Sequence, residues 1–230
     1  MRTLPQAATL DSSLRPVHAL APCSAAPHSA AVPVRSLFVT RLYEAQLGNE
    51  ALLAELAHSI RALAQDDEAG RGWSREHRYA GYTSYASLDD LPRRDPAFAD
   101  LAKLLARHVG EFARDSAFEL TRKPKLDSLW VNLLKGGGHH SGHIHPHSII
   151  SGTLYVEVPA GAGAIRFEDP RLPLMMAAPT RSSDAPEDLR PFVTVEPRSG
   201  QLLMWESWLR HEVLPSTGRG ERLSISFNFA

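Results

Sequence analysis

Gly136-Gly137-Gly138-His139-His140-Ser141-Gly142-His143-Ile144-His145-Pro146-His147 is the stretch on which the reading of this chain turns. Five of the 11 histidines fall within it. Successive residues of a β-strand face opposite sides, so a strand over 143–145 is predicted to turn His143 and His145 to one face and Ile144 to the other. Two imidazoles spaced in this way can act as adjacent ligands of a transition metal, and neutral imidazole suits iron, zinc, copper or nickel. A third ligand must come from a distant strand. His211, in Trp208-Leu209-Arg210-His211-Glu212-Val213, is the candidate. His145 and His147 share the same spacing, but Pro146 between them interrupts a regular strand. His139 and His140 adjoin the triple glycine and are expected on a mobile rim. A polar, metal-free histidine loop is the competing reading.

Around this stretch the chain reads as short strands and turns. Further strands are predicted over 128–134, 152–158, 164–168, 192–195, 201–205, 212–214 and 222–229. Gly- and Pro-rich turns separate most of them. Residues 172–190 read as a long loop of the kind that often serves as a lid. Upstream lie a β-like segment at 36–40 and a helical stripe of Leu52, Leu56, Ile60 and Leu63 ending near Asp66. Residues 72–91 read as an aromatic, polar ordered loop. A second helix then begins with Asp95 as cap and Pro96 at its first position, burying Phe98, Leu101, Leu105, Val109 and Phe112. Helices first and about eight strands after them predict an α+β chain: a double-sheet jelly-roll core with N-terminal helices packed outside.

Composition narrows the function. The 230 residues are 43% hydrophobic and carry 25 Lys plus Arg against 26 acidic groups, a net charge of −1. No basic field is available for a phosphate backbone, so nucleic-acid binding is not expected. Apolar runs are too short to span a membrane. One cysteine, Cys23, excludes a disulfide framework and a multi-cysteine zinc site. Residues 1–34 hold five of the 17 prolines, enough to break a long helix or a secretory signal. Organelle transit peptides share its acid-poor, Ala/Ser-rich character, but a disordered tail is the preferred expectation. It would precede a single domain over 35–230 in a cytoplasmic protein.

The C-terminal strand completes the candidate site. Arg222 and Ser224 share a face by the period-two rule. An inward guanidinium can grip a carboxylate bidentately while the hydroxyl adds a further bond, as a small dicarboxylate would require. Read singly, Arg222 is more simply a surface residue paired with Glu221 or Glu212. With His143, His145 and His211, the anion-binding reading is the stronger one.

Together, Trp130-Val131-Asn132, His143-Ile144-His145-Pro146 with Ser148 and Ser151-Gly152, Tyr155, Phe167-Glu168-Asp169-Pro170-Arg171, Trp205-Glu206-Ser207-Trp208, His211 and Arg222 to Asn228 resemble the iron(II)/2-oxoglutarate-dependent oxygenases, more narrowly a bacterial group of them. The likeness runs in order from about Leu37 to Phe229. It implies a double-stranded β-helix, bound Fe(II), 2-oxoglutarate as co-substrate and O2 as oxidant. It also implies C–H hydroxylation of a small molecule or side chain, with release of succinate and CO2. His143, His145 and His211 would hold the metal. Arg222 and Ser224 would hold the distal carboxylate, with Asn132 bonding the keto acid and Trp130 or Tyr155 walling the pocket.

One position departs from that family. The usual triad has a carboxylate two residues after the first histidine, and here His145 stands there. Three neutral imidazoles leave the site one charge more positive, which favours anions. Glu168, Asp169, Glu206 and Glu212 rank below His145 as alternative ligands. Two other readings are a three-histidine cupin-type dioxygenase working without 2-oxoglutarate and a non-catalytic jelly-roll binding protein. A homodimer through an exposed edge of the final strand is a further expectation.

Overall fold

The computed structural model describes residues 34–230. Two units divide between Leu37 and Phe38. Of the first, only residues 34–37 are described, as coil with exposed side chains. The expected N-terminal tail therefore lies almost wholly outside the described residues. Everything that follows concerns the second unit.

Its helices are α1 (Glu50–Asp66), α2 (Glu68–Glu76), α3 (Leu91–Arg94) and α4 (Pro96–Asp115). Asn49 caps α1, its side chain accepting from the Leu52 amide at 3.1 Å. Asp95 caps α4, accepting from the Ala97 amide at 2.8 Å, and Pro96 follows as expected. The strands are β1 (Leu42–Gln46), β2 (Gly81–Thr83), β3 (Leu126–Leu134), β4 (His140–His143), β5 (Ile150–Glu157), β6 (Ile165–Glu168), β7 (Phe192–Val195), β8 (Gln201–Glu206), β9 (His211–Val213) and β10 (Arg222–Phe229). They form a six-stranded sheet ordered β1-β8-β5-β10-β3-β2 and a four-stranded sheet ordered β4-β9-β6-β7, with every pairing antiparallel.

Several expectations require correction. The segment 36–40 is not a strand; pairing with β8 begins at Leu42. Helix α2 occupies part of the stretch read as a loop. It is made possible by Asp67, which closes α1 through its own amide and caps α2 by accepting from Gly70 at 3.0 Å. Asp67 also accepts hydroxyl bonds from Tyr82 at 2.8 Å and Ser87 at 2.5 Å, which ties the start of α2 to the segment after it. The first His-bearing strand stops at His143, leaving His145 beyond its end. The final strand has no free edge for dimerisation, because β10 lies between β3 and β5.

The large sheet has two chemically distinct faces. On β10, Leu223, Ile225, Phe227 and Phe229 join the buried cluster that includes Leu56, Ile60, Phe98, Leu101, Leu105 and Phe112 of α1 and α4. Each fully buried apolar side chain of this kind contributes ~1.5–3 kcal/mol. The alternating residues Arg222, Ser224, Ser226 and Asn228 take the other face, and Arg222, Ser224 and Asn228 are buried there. A polar residue at every second position of a buried strand is a poor way to build a core. It is a good way to line a binding site. No described helix is long and apolar enough to cross a membrane.

Candidate metal and anion site

His143 and His211 sit directly opposite each other in the β4–β9 pair, so their imidazoles meet by strand register, with ring centroids 4.4 Å apart. His145 lies past the strand but is held by its backbone amide, which donates to the Ser207 carbonyl at 3.0 Å. Its ring centroid is 5.1 Å from that of His143 and 5.2 Å from that of His211. One potential ligand nitrogen from each of the three lies within 4.8 Å of the others. The folded chain thus brings together the three histidines named from sequence.

Each imidazole is oriented by its Nδ1–H. His143 donates to the Ser141 carbonyl at 2.7 Å, His211 to the Leu209 carbonyl at 2.9 Å, and His145 to Asn228 Oδ1 at 2.7 Å. An oxygen acceptor at Nδ1 fixes the tautomer with the lone pair on Nε2. His145 Nε2 is buried and has no hydrogen-bond partner. Burial, helped by the neighbouring histidines, lowers the His145 pKa to about 4 and that of His211 to about 3. Both are therefore neutral near pH 7, as metal ligation requires. An orphaned Nε2, a fixed tautomer and an all-nitrogen donor set fit a transition metal.

The four alternative carboxylates are engaged elsewhere. Glu168 pairs with Arg210 at 3.1 Å, Asp169 with Arg171 at 2.8 Å and Glu212 with Arg166 at 2.5 Å, and Glu206 accepts from Trp208 Nε1 at 2.8 Å. None joins the histidine cluster.

Arg222 is 3% exposed and lies on the inner face with Ser224, which is set between Asn132 on β3 and Tyr155 on β5. Its Nη1 donates to the Gly163 carbonyl at 3.0 Å, its Cζ lies 5.5 Å from the Tyr155 ring centroid, and its Nε has no partner. No described carboxylate pairs with it. The Tyr155 hydroxyl, 1% exposed as a residue, is also without a partner, and burial pushes its pKa up to about 12, so it stays a donor. A buried guanidinium left without a counter-ion costs several kcal/mol. A carboxylate is the kind of ligand that would offset that cost.

Asn132 is already committed to the protein. Its Oδ1 accepts from Thr83 Oγ1 at 2.9 Å and from the Tyr79 hydroxyl at 3.2 Å, while Nδ2 donates to Ser226 Oγ at 3.2 Å. Its Oδ1 is thus occupied, while one N–H of Nδ2 is not used by these bonds. His140 does not lie on an open rim: its Nε2 is 2.9 Å from the Tyr79 hydroxyl, and burial, with Arg222 nearby, lowers its pKa to about 3. Sequence reasoning missed Tyr79 and Asn228. The period-two count that pairs Arg222 with Ser224 also reaches Asn228, whereas nothing local marks Tyr79, which meets its partners across 53 and 61 residues. Trp130 does wall the site, stacked 5.9 Å from the His145 ring.

Comparison with known proteins agrees with this chemistry. Residues 128–228 match the family described as "Putative 2OG-Fe(II) oxygenase". The matched span holds all three histidines, Asn132, Arg222 and Ser224. Among solved structures the chain is similar to SnoN, the non-heme alpha ketoglutarate dependent epimerase of nogalamycin biosynthesis (17% identity, 83% of this chain and 78% of that one, TM-score 0.57). It is also similar to HygX from Streptomyces hygroscopicus, solved with nickel and 2-oxoglutarate bound (15% identity, 84% and 82%, TM-score 0.53). A Pseudomonas putida prolyl-4-hydroxylase is a third (17% identity, 83% and 88%, TM-score 0.52). At these identities the likeness is one of fold. No curated protein matches the sequence.

Proposed function

We propose that this chain is an Fe(II)/2-oxoglutarate-dependent oxygenase that hydroxylates a C–H bond of a small molecule or side chain, with its two sheets forming a double-stranded β-helix. The observation that carries this reading is a buried guanidinium with no carboxylate partner, Arg222, on the face of β10 that also carries Asn228, the residue that meets His145 in a group of three histidines whose ligand nitrogens lie within 4.8 Å of one another. A three-histidine enzyme that bound no carboxylate would leave that guanidinium without a use.

In this proposal His143, His145 and His211 hold Fe(II) through Nε2. When bound, iron and 2-oxoglutarate supply the oxidising chemistry, consuming O2 and releasing succinate and CO2 as the substrate gains a hydroxyl. The remaining roles belong to the chain. Arg222, Tyr155 and Ser224 bind the distal carboxylate of the keto acid. Asn228 fixes the His145 tautomer, Trp130 walls the site beside His145, and Trp205, packed edge-on 4.6 Å from the His211 ring, covers the imidazole on another side. Because His145 replaces a carboxylate, the ligand set is neutral, and the attraction for a dianionic keto acid is correspondingly greater.

The test is anaerobic. Apo protein is loaded with Fe(II), 2-oxoglutarate is added, and the visible charge-transfer band is titrated. The wild type is expected to show the band, with Arg222→Ala weakening 2-oxoglutarate binding about 10–100-fold, as loss of bonds to a charged group implies. Iron stoichiometry in that variant stays unchanged. Fully iron-loaded wild type without the band would overturn the proposal.

A further inference from the structure

A cavity of about 370 Å3 opens between α1, α2 and the ends of β2, β3 and β10. Four cations line it: Arg61 from α1, Arg71 and Arg75 from α2, and Lys135 just past β3. Two of them have acidic partners. Arg61 pairs with Glu157 at 2.5 Å, and Lys135 lies 3.7 Å from Glu221, the one acid in the lining. The Arg71 and Arg75 guanidiniums have no hydrogen-bond or ion-pair partner among the described residues. They stand four residues apart on a nine-residue helix, so they are neighbours on its surface and repel each other. A chain of net charge −1 has thus drawn like charges from three elements into one concavity and left two of them unanswered.

We propose that this cavity is a second binding site, taking a small phosphate-bearing anion gripped by Arg71 and Arg75. Paired guanidiniums match phosphate oxygens bidentately, which ammonium groups cannot do. The volume falls in the range of small-molecule sites. The cavity also sits apart from the histidines. Leu133, in its lining, belongs to the helix-side cluster, whereas the next residue back along β3, Asn132, meets Tyr79 and Ser226 on the opposite face. The proposal therefore stands independently of the iron chemistry.

Pyrophosphate is the probe, titrated calorimetrically into apo full-length chain at low salt. One saturable site per chain is expected, weakened at least tenfold in Arg71→Gln/Arg75→Gln and strengthened in Glu221→Gln, which removes the acid from the lining. Saturating 2-oxoglutarate leaves the pyrophosphate affinity unchanged. Circular dichroism confirms that both variants fold, as exposed positions allow. Absence of saturable binding, equal affinity in wild type and double variant, or competition by 2-oxoglutarate would each overturn the second site, the last by placing the probe at Arg222.

Discussion

His145 Nδ1 and Asn228 Oδ1 lie 2.7 Å apart and join the segment beyond β4 to the end of β10 across 83 residues of chain. Asn228 is itself held, accepting from Ser151 Oγ at 2.8 Å and donating to Ser128 Oγ at 2.9 Å, so its oxygen has little freedom to turn away. Removing such a support from a metal-binding imidazole typically costs 10–100-fold in affinity. Asn228→Ala is therefore expected to weaken Fe(II) or Ni(II) binding by about that factor. Asn228→Asp keeps an acceptor and retains the affinity. Calorimetric titration of apo protein measures both, and an unchanged affinity in the alanine variant would show that Asn228 does not position the ligand.

His143→Ala and His211→Ala are each expected to abolish stoichiometric iron. His139→Ala leaves it intact, because His139 is exposed and outside the cluster. Metal analysis after desalting reads the ratio directly. Similar losses in all three would mean that the ligand set is wrong.

How much of this could be read in the sequence follows from which forces are local. The period-two pattern of β10 fixed both its ends and its two faces, and Asp95-Pro96 marked the start of α4, because caps and alternation are short-range features. Helix α2 escaped notice because Gly70, Gly72 and Trp73 give it no apolar stripe. It depends instead on Asp67 and on hydroxyls of Tyr82 and Ser87, 15 and 20 residues away. The three clustered histidines were readable as residue types with plausible spacing. The contacts around them were not: the Ser207 carbonyl that holds His145 and the Tyr79 hydroxyl that meets the neighbouring His140 are set by tertiary packing alone.

His140 gives stability a pH dependence that needs no metal. Its folded pKa is lowered to about 3 by burial first and then by Arg222, while an unfolded imidazole titrates near 6.5. Between those values the unfolded chain binds one more proton than the folded chain. Stability is therefore full above about pH 6.5 and falls as pH falls, by about 1.4 kcal/mol per unit for each such group. His145 and His211 are lowered in the same direction and add to the slope in apo protein. Urea unfolding of apo wild type and His140→Gln at pH 7, 6 and 5 should give a shallower pH dependence in the variant. Parallel curves would show that His140 titrates normally in the fold.

Asp95 links the two long helices. One carboxylate oxygen caps α4 at the Ala97 amide, 2.8 Å away, and the other accepts from Ser59 Oγ of α1 at 2.5 Å. Asp95→Ala loses both bonds and exposes the first turn of a helix that buries Phe98, Leu101, Leu105, Val109 and Phe112 against the sheet. A lost cap alone costs ~0.5–2 kcal/mol, and the Ser59 bond places the expected loss in the upper half of that range. Asp95→Asn, which still caps, is expected to recover most of it, and Ser59→Ala to cost less than Asp95→Ala. Urea midpoints at constant m-value read these differences. Iron binding stays at the wild-type level in all three, since neither residue approaches the histidines. A midpoint in Asp95→Ala equal to that of wild type would mean that α4 is held by its apolar face alone.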